Sequence, residues 1–172
     1  MQGFSTERLN VTNWADALAR PECRAEIERD LTAILTEPVL RHLPGPLALA
    51  DTPDAVSSWV SHRATESDVF LIEERESGDL IGLLLLAPGE VAVSGDDQHL
   101  GYLLAEAAWG KGYATELVHG LVDALSAFEM ARLVGGVGTD NPASAHVLKK
   151  CGFTRSDEMS TRETEIYVRQ LG

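Results

Sequence analysis

Apolar residues recur at Tyr113, Ala114, Leu117, Val118, Leu121, Val122, Leu125 and Phe128, the i, i+3, i+4 spacing of a helix with one face against a core. Just before it, residues 98–104 (QHLGYLL) read as a buried strand. Between the two, residues 104–114 (LAEAAWGKGYA) make a strand end, a glycine-bearing turn and a helix start. The same patterning orders the rest of the chain. Residues 8–12 (RLNVT) alternate as a half-buried strand does, and Asn13 can cap a short helix that starts at Trp14 and stops near Arg20. Pro21 opens a second helix with Ile27, Leu31, Ile34 and Leu35 on one face, ending before Pro38. Residues 41–51, broken by Pro44-Gly45-Pro46, form a loop free to join a binding rim. Thr52-Pro53-Asp54 starts a helix whose inward stripe is Val56, Trp59, Val60 and Arg63, with Trp59 a core residue rather than a substrate platform.

Residues 69–73 and 80–86, joined by Glu76-Ser77-Gly78-Asp79, predict an antiparallel hairpin, and the run of leucines at 83–86 predicts burial on both faces. Pro88-Gly89 and Gly95-Asp96-Asp97 bracket a short strand or loop at 90–94. After the long helix, residues 132–138 form a strand. Asn141 then caps a short helix with Pro142 at its first position and Gly152 just past its end. Residues 164–169 alternate as a closing strand, and nothing in the pattern assigns residues 157–162. Helices, a hairpin, then strand-helix-strand-helix-strand predict one α/β domain with a mixed sheet over residues 1–172.

Gly110 and Gly112 lack Cβ atoms, so the chain can turn sharply and an anion can approach the free N–H groups of the helix's first turn. A Walker A loop is excluded, because Ala105 stands where its first glycine belongs and Gly112 follows Lys111 in place of Ser or Thr. A dinucleotide fingerprint fits poorly, because Thr115 stands where Gly or Ala is needed. A plain strand-to-helix turn without a ligand stays open on this motif alone.

Fourteen Lys and Arg against 27 Asp and Glu give a net charge of −13, which argues against a nucleic-acid or anionic-membrane surface and favours a cationic substrate. Against that acidic background Lys111, Lys149 and Lys150 all fall inside the two glycine- and proline-marked motifs, either to meet phosphates or, for the last two, to complement a helix C-terminus. Cys23 and Cys151 form no disulfide framework, CxxC or metal-ligand set, and no apolar run is long enough to span a bilayer. A soluble, cytoplasmic protein without a metal is expected; a homodimer is compatible with this size.

WGKGYATE and NPASAHVLKKCGF, in this order and spacing, together with TERLNV and VFLIEERESGDLIGLLLL, closely resemble the GNAT superfamily of acetyl-CoA-dependent N-acetyltransferases. The branch most similar is that of the ribosomal-protein N-terminal acetyltransferases. The resemblance implies a mixed, mostly antiparallel sheet whose neighbouring central strands splay to hold coenzyme and acceptor. It implies a pyrophosphate loop at Trp109, Gly110, Lys111, Gly112, Tyr113 and Ala114, with Trp109 replacing the usual Gln or Arg. It also implies main-chain contacts to the pantetheine arm from Tyr102, Leu103 and Leu104, one polarising the thioester carbonyl, and a coenzyme contact from Asn141.

An amine can attack a thioester directly, without an enzyme nucleophile, and Cys151 reads as a small core residue. His99, where this branch often carries Glu, is the candidate general base, and a strand histidine without that role would look the same. Glu106 and Asp97 are weaker candidates for the base and read rather as solvated loop acids. The helix position where many relatives carry a proton-donating tyrosine is Leu148, which leaves Ser144 to donate to the leaving sulfur. The implied reaction is acetyl transfer from acetyl-CoA to a primary amine of a small molecule or peptide: a protein N-terminus, a polyamine or an aminoglycoside. A non-catalytic acyl-CoA-binding module, or transfer of a longer acyl group, is the alternative.

Overall fold

The computed structural model describes residues 1–89, 97–126 and 132–171. Within them one eight-stranded sheet runs in the order β1-β2-β3-β4-β5-β6-β8-β7. Its strands are β1 (Gly3–Ser5), β2 (Leu9–Asn13), β3 (Asp68–Glu74), β4 (Leu80–Pro88), β5 (Asp97–Leu104), β6 (Arg132–Gly138), β7 (Thr154–Ser156) and β8 (Thr164–Gln170). Neighbours pair antiparallel except β5 and β6, which are parallel. That parallel pair needs a crossover, and α5 (Tyr113–Leu125) supplies it.

The sheet has a core on each face because its central strands are apolar at successive positions. Phe70, Ile72, Leu84 and Leu86 enter one core with α5 and α6 (Pro142–Lys150); Val69, Leu71, Leu83 and Leu85 enter the other. The second core is closed by α1 (Ala15–Leu18), α2 (Pro21–Ile34), α3 (Glu37–Leu40) and α4 (Ala55–Glu66). The expected double-faced burial of Leu83, Leu84, Leu85 and Leu86 is therefore present. Helix α5 buries Tyr113, Leu117, Val118, Leu121, Val122 and Leu125, the stripe its periodicity predicted; each fully buried apolar side chain contributes roughly 1.5–3 kcal/mol. Phe128 and the segment expected at 90–94 lie outside the described residues.

Some elements were not anticipated. Helix α3 runs across Pro38, which its first turn tolerates because an N–H there has no helical partner. The loop at 41–51 holds a 3-10 turn, Gly45–Leu47, and is pinned where the Trp59 indole N–H donates to the Leu47 carbonyl at 2.9 Å. Residues 157–163 connect β7 to β8: the Ser160 hydroxyl donates to the Ser156 carbonyl at 2.6 Å and accepts the Ile166 N–H at 2.9 Å.

The pairing of β5 with β6 creates the site. It runs from Asp97↔Arg132 to Leu100↔Gly135 and ends there. Past that point β5 continues to Leu104 against β4, while β6 continues to Gly138 against β8. The two central strands splay, leaving a slot with backbone on both walls. At the far end of the paired segment the Arg132 guanidinium donates through two nitrogens to both oxygens of Asp97.

Candidate active site

Beyond Leu104 the chain makes a short 3-10 turn, Glu106–Ala108, and then enters α5 through Gly110 and Gly112, at φ 71° and 82°. Both values lie in the left-handed region, where a Cβ would clash with the backbone; this is why the turn carries glycine at both positions. A Cβ on Gly110 would meet nothing within 4 Å, and one on Gly112 would meet only Arg8 Nη2, at 3.5 Å. The space over the loop is open, and the first-turn amides of α5 have no partner inside the helix. Residues 109–114 thus leave open space over unpartnered N–H groups, and Lys111 among them is exposed.

Trp109 behaves differently from the Gln or Arg it replaces. Its indole N–H donates back to the Leu104 carbonyl at 2.8 Å, so the side chain braces the strand end against the loop, while its ring stays 45% exposed. Of the three strand-end residues expected to meet the pantetheine arm, Leu103 and Leu104 bury their side chains, one in each core, and Tyr102 is half-buried.

The glycine loop is held by a residue that sequence reasoning missed. Arg8, just before β2, donates through Nε to Glu116 at 2.7 Å and through Nη1 to the Lys111 carbonyl at 3.0 Å, and its guanidinium lies 4.5 Å from the centre of the Tyr113 ring. Glu116 also accepts the Arg8 N–H at 2.8 Å and the Thr6 hydroxyl at 2.6 Å. Burial would push the Glu116 carboxyl pKa up, but these hydrogen bonds and the Arg8 charge outweigh it and hold it below the usual value. Exposed ion pairs contribute little alone; here several donors converge on one carboxylate. Tyr113, at the start of α5, donates its hydroxyl to Glu74 on β3. TERLNV marked the segment, but Arg8 and Glu116 stand 108 positions apart and no local pattern joins them.

Helix α6 brings in Asn141 and Ser144. The Asn141 side-chain oxygen accepts the Ser144 N–H at 3.2 Å, the expected cap, and this engagement leaves the carboxamide N–H₂ for a ligand. Ser144 Oγ lies 2.8 Å from the Tyr102 hydroxyl across the splay. Leu148 is 1% exposed and serves the core. Cys151 is fully buried, its thiol 3.6 Å from the Thr115 carbonyl, and burial pushes its pKa up, as suits a core residue. Lys149 turns toward β8, its ammonium 5.6 Å from the centre of the Tyr167 ring.

His99 is exposed on β5, within the parallel pair. Strand alternation puts it on the side of Leu103 and helices α1–α4, opposite Leu100, Tyr102 and Leu104. His99 and Ser144 therefore stand on opposite faces of the sheet at the slot. A Cβ on Gly101, next along the His99 face, would meet nothing within 4 Å, so that face has open space beside His99. The reading of Asp97 and Glu106 as solvated loop acids needs correcting in part. Asp97 begins β5, is 4% exposed and is bound to Arg132, because the two face each other where β5 and β6 first pair. Glu106 is exposed as expected and accepts the Thr36 hydroxyl at 2.5 Å. Among the described residues no cluster of three or more His, Cys, Asp or Glu side chains could hold a metal ion, and no helix is long and apolar enough to cross a membrane.

Comparison with known proteins places this arrangement. The model of the acetyltransferase (GNAT) domain matches residues 18–154. No curated protein matches. Solved structures share the fold along nearly the whole chain. A GNAT-family acetyltransferase from Bacillus anthracis superposes with a TM-score of 0.72 at 16% identity, over 98% of each chain. RimL, a ribosomal L7/L12 alpha-N-protein acetyltransferase in complex with coenzyme A, gives 0.71 at 15% identity over 96% of each. Spermidine N-acetyltransferase from Vibrio cholerae, in complex with CoA and spermine, gives 0.69 at 15% over 95% of this chain and 96% of that one. With most of its length matched by the family model, and with the splayed sheet and glycine loop described above, the chain belongs to the GNAT acetyltransferase family.

Proposed function

We propose that this protein transfers the acetyl group of acetyl-CoA to a primary amine by direct attack, with both substrates bound in the slot. The observation that carries the reading is the separation of His99 and Ser144 onto opposite faces of the sheet where β5 and β6 part. Direct transfer needs a base on the side where the amine enters and a donor on the side where the thiolate leaves. Acetyl-CoA supplies the electrophilic thioester. Gly110, Lys111, Gly112, Tyr113 and Ala114 hold its pyrophosphate through backbone amides, and Asn141 hydrogen-bonds a peptide unit of its arm. The edge of β5 at Tyr102, Leu103 and Leu104, which β6 no longer pairs and where Trp109 already holds the Leu104 carbonyl, orients the arm and polarises the thioester carbonyl through a backbone N–H. His99 takes a proton from the acceptor's ammonium, and Ser144 donates one to the departing sulfur.

A net charge of −13 favours a cationic acceptor, either a polyamine or the free α-amine of a peptide, reached from the cytoplasm. The neighbour that holds spermine and the neighbour that acts on a ribosomal-protein N-terminus lend support to each. The test is release of CoA thiol with spermine, a peptide bearing a free N-terminus and hydroxylamine, the acetylated product being identified by mass. Steady turnover with one of them is expected. Tight acetyl-CoA binding without turnover on any acceptor would identify a binding module instead.

A further inference from the structure

The slot holds a pair of hydroxyls whose joint arrangement goes beyond the roles given to each wall. Tyr102 lies on β5 two positions past Leu100, where pairing with β6 ends, and its half-buried ring packs against the core beneath α5 and α6. Its hydroxyl reaches Ser144 Oγ at 2.8 Å, from one wall of the slot to the helix that follows the other. Ser144 is held from its backbone as well, through its N–H to Asn141. A phenol is a far stronger acid than an aliphatic alcohol, so in this pair Tyr102 is the better donor and Ser144 the better acceptor. With its oxygen accepting from Tyr102, the proton of Ser144 is free to point into the slot.

We propose that Tyr102 is a positioning residue that fixes the Ser144 hydroxyl and replaces its proton as Ser144 protonates the departing thiolate; this rests on the acetyl-transfer reading above. As the C–S bond breaks, its electron pair stays on sulfur and sulfur takes the Ser144 proton. The Ser144 oxygen takes the Tyr102 proton in the same motion, so no free alkoxide forms. The phenolate is then reprotonated by water. Of the two protons the ammonium gives up in becoming an amide, one balances the thiol and one goes to solvent. Burial pushes the Tyr102 pKa above its usual value, although the Ser144 bond pulls the other way, so the phenol is protonated and ready to donate at neutral pH.

The test compares Tyr102→Phe, Ser144→Ala and the double variant with the wild type, using acetyl-CoA with the three acceptors named above. Tyr102→Phe removes one oxygen and keeps the packing, which thermal melting checks. It should bind acetyl-CoA within about threefold of wild type, while single-turnover transfer falls about 10- to 100-fold. The double variant should be no slower than Ser144→Ala, because two groups acting as one unit are not additive. In mixtures of light and heavy water the wild-type rate should curve with deuterium fraction, two protons moving together, and become linear in Tyr102→Phe. A purely structural role would not remove that curvature. Wild-type rates in Tyr102→Phe, multiplicative losses in the double variant, or curvature that survives would each overturn the proposal while leaving acetyl transfer intact. Failure of the wild type to transfer acetyl to any of the three would overturn both.

Discussion

The two sides of the slot are built on different principles. On the side of α5 and α6, the groups assigned to the coenzyme are mostly backbone amides, set by two left-handed glycines and a capped helix within two short stretches of chain. Their positions follow from local conformation, with Arg8 tying the loop down from outside it. On the side of α1–α4, the group assigned to the acceptor is one exposed side chain, His99. That face of the sheet is covered by helices α1–α4 and by the loop at 41–51 pinned by Trp59. A site made of backbone suits a donor that never changes; a site made of side chains can be re-cut for a new acceptor while the sheet beneath it stays the same.

That contrast can be broken most forcefully at His99. His99→Ala should lower kcat/KM for the amine by about 10²- to 10⁴-fold, with acetyl-CoA affinity changed less than about threefold in calorimetry. Equal losses in both affinities would mean that His99 belongs to the coenzyme side.

A smaller effect is expected where the coenzyme loop is tied down. Glu116→Gln removes the charge that Arg8 and Thr6 share and should cost about 1–2 kcal/mol at neutral pH in denaturant unfolding, with acetyl-CoA affinity falling about 3- to 10-fold. The native carboxyl titrates below its ordinary value of 4.5, so its contribution is complete above about that pH and is lost as pH falls through the native value. Wild type and variant should therefore converge in acid; a constant gap there would contradict the charged role.

Trp109→Phe keeps an aromatic six-membered ring but removes the pyrrole half of the indole together with the N–H bound to the Leu104 carbonyl, so a loss of about 0.5–1.5 kcal/mol is expected, with coenzyme binding weakened about threefold. Least of all should follow from Cys151→Ala, whose transfer rate ought to match wild type, because the thiol is sealed in the core. A severe rate loss with an unchanged melting temperature would reopen a nucleophilic role.

What the sequence made legible tracks the range of the forces involved. Strand β4 announces itself through a continuous apolar run and helix α5 through its i, i+3, i+4 stripe, and the Asn141-Pro142 cap and the Gly110 and Gly112 turn through local backbone requirements. Strands β1 and β7, three residues each, are too short to show a period and exist because longer neighbours offer them an edge. Asp97, at the end of Gly95-Asp96-Asp97, looks like a loop acid until Arg132 is seen across the strand pair. The Arg8 latch and the Tyr102–Ser144 pair were illegible for the same reason: each joins residues that only the folded sheet brings together.

The central claim is that the α5 glycine loop is the seat of acetyl-CoA, and calorimetric titration tests it directly on wild type, Gly112→Ala and Gly112→Glu, with ATP and NAD as controls. Both variants strain the left-handed turn, but only the second puts a carboxylate where the phosphates would sit. Selective binding of acetyl-CoA by wild type, weakened no more than about tenfold in Gly112→Ala and at least about 100-fold in Gly112→Glu, is the predicted result. Acetyl-CoA affinity equal in Gly112→Glu and Gly112→Ala, or no binding by the folded wild type, would contradict it.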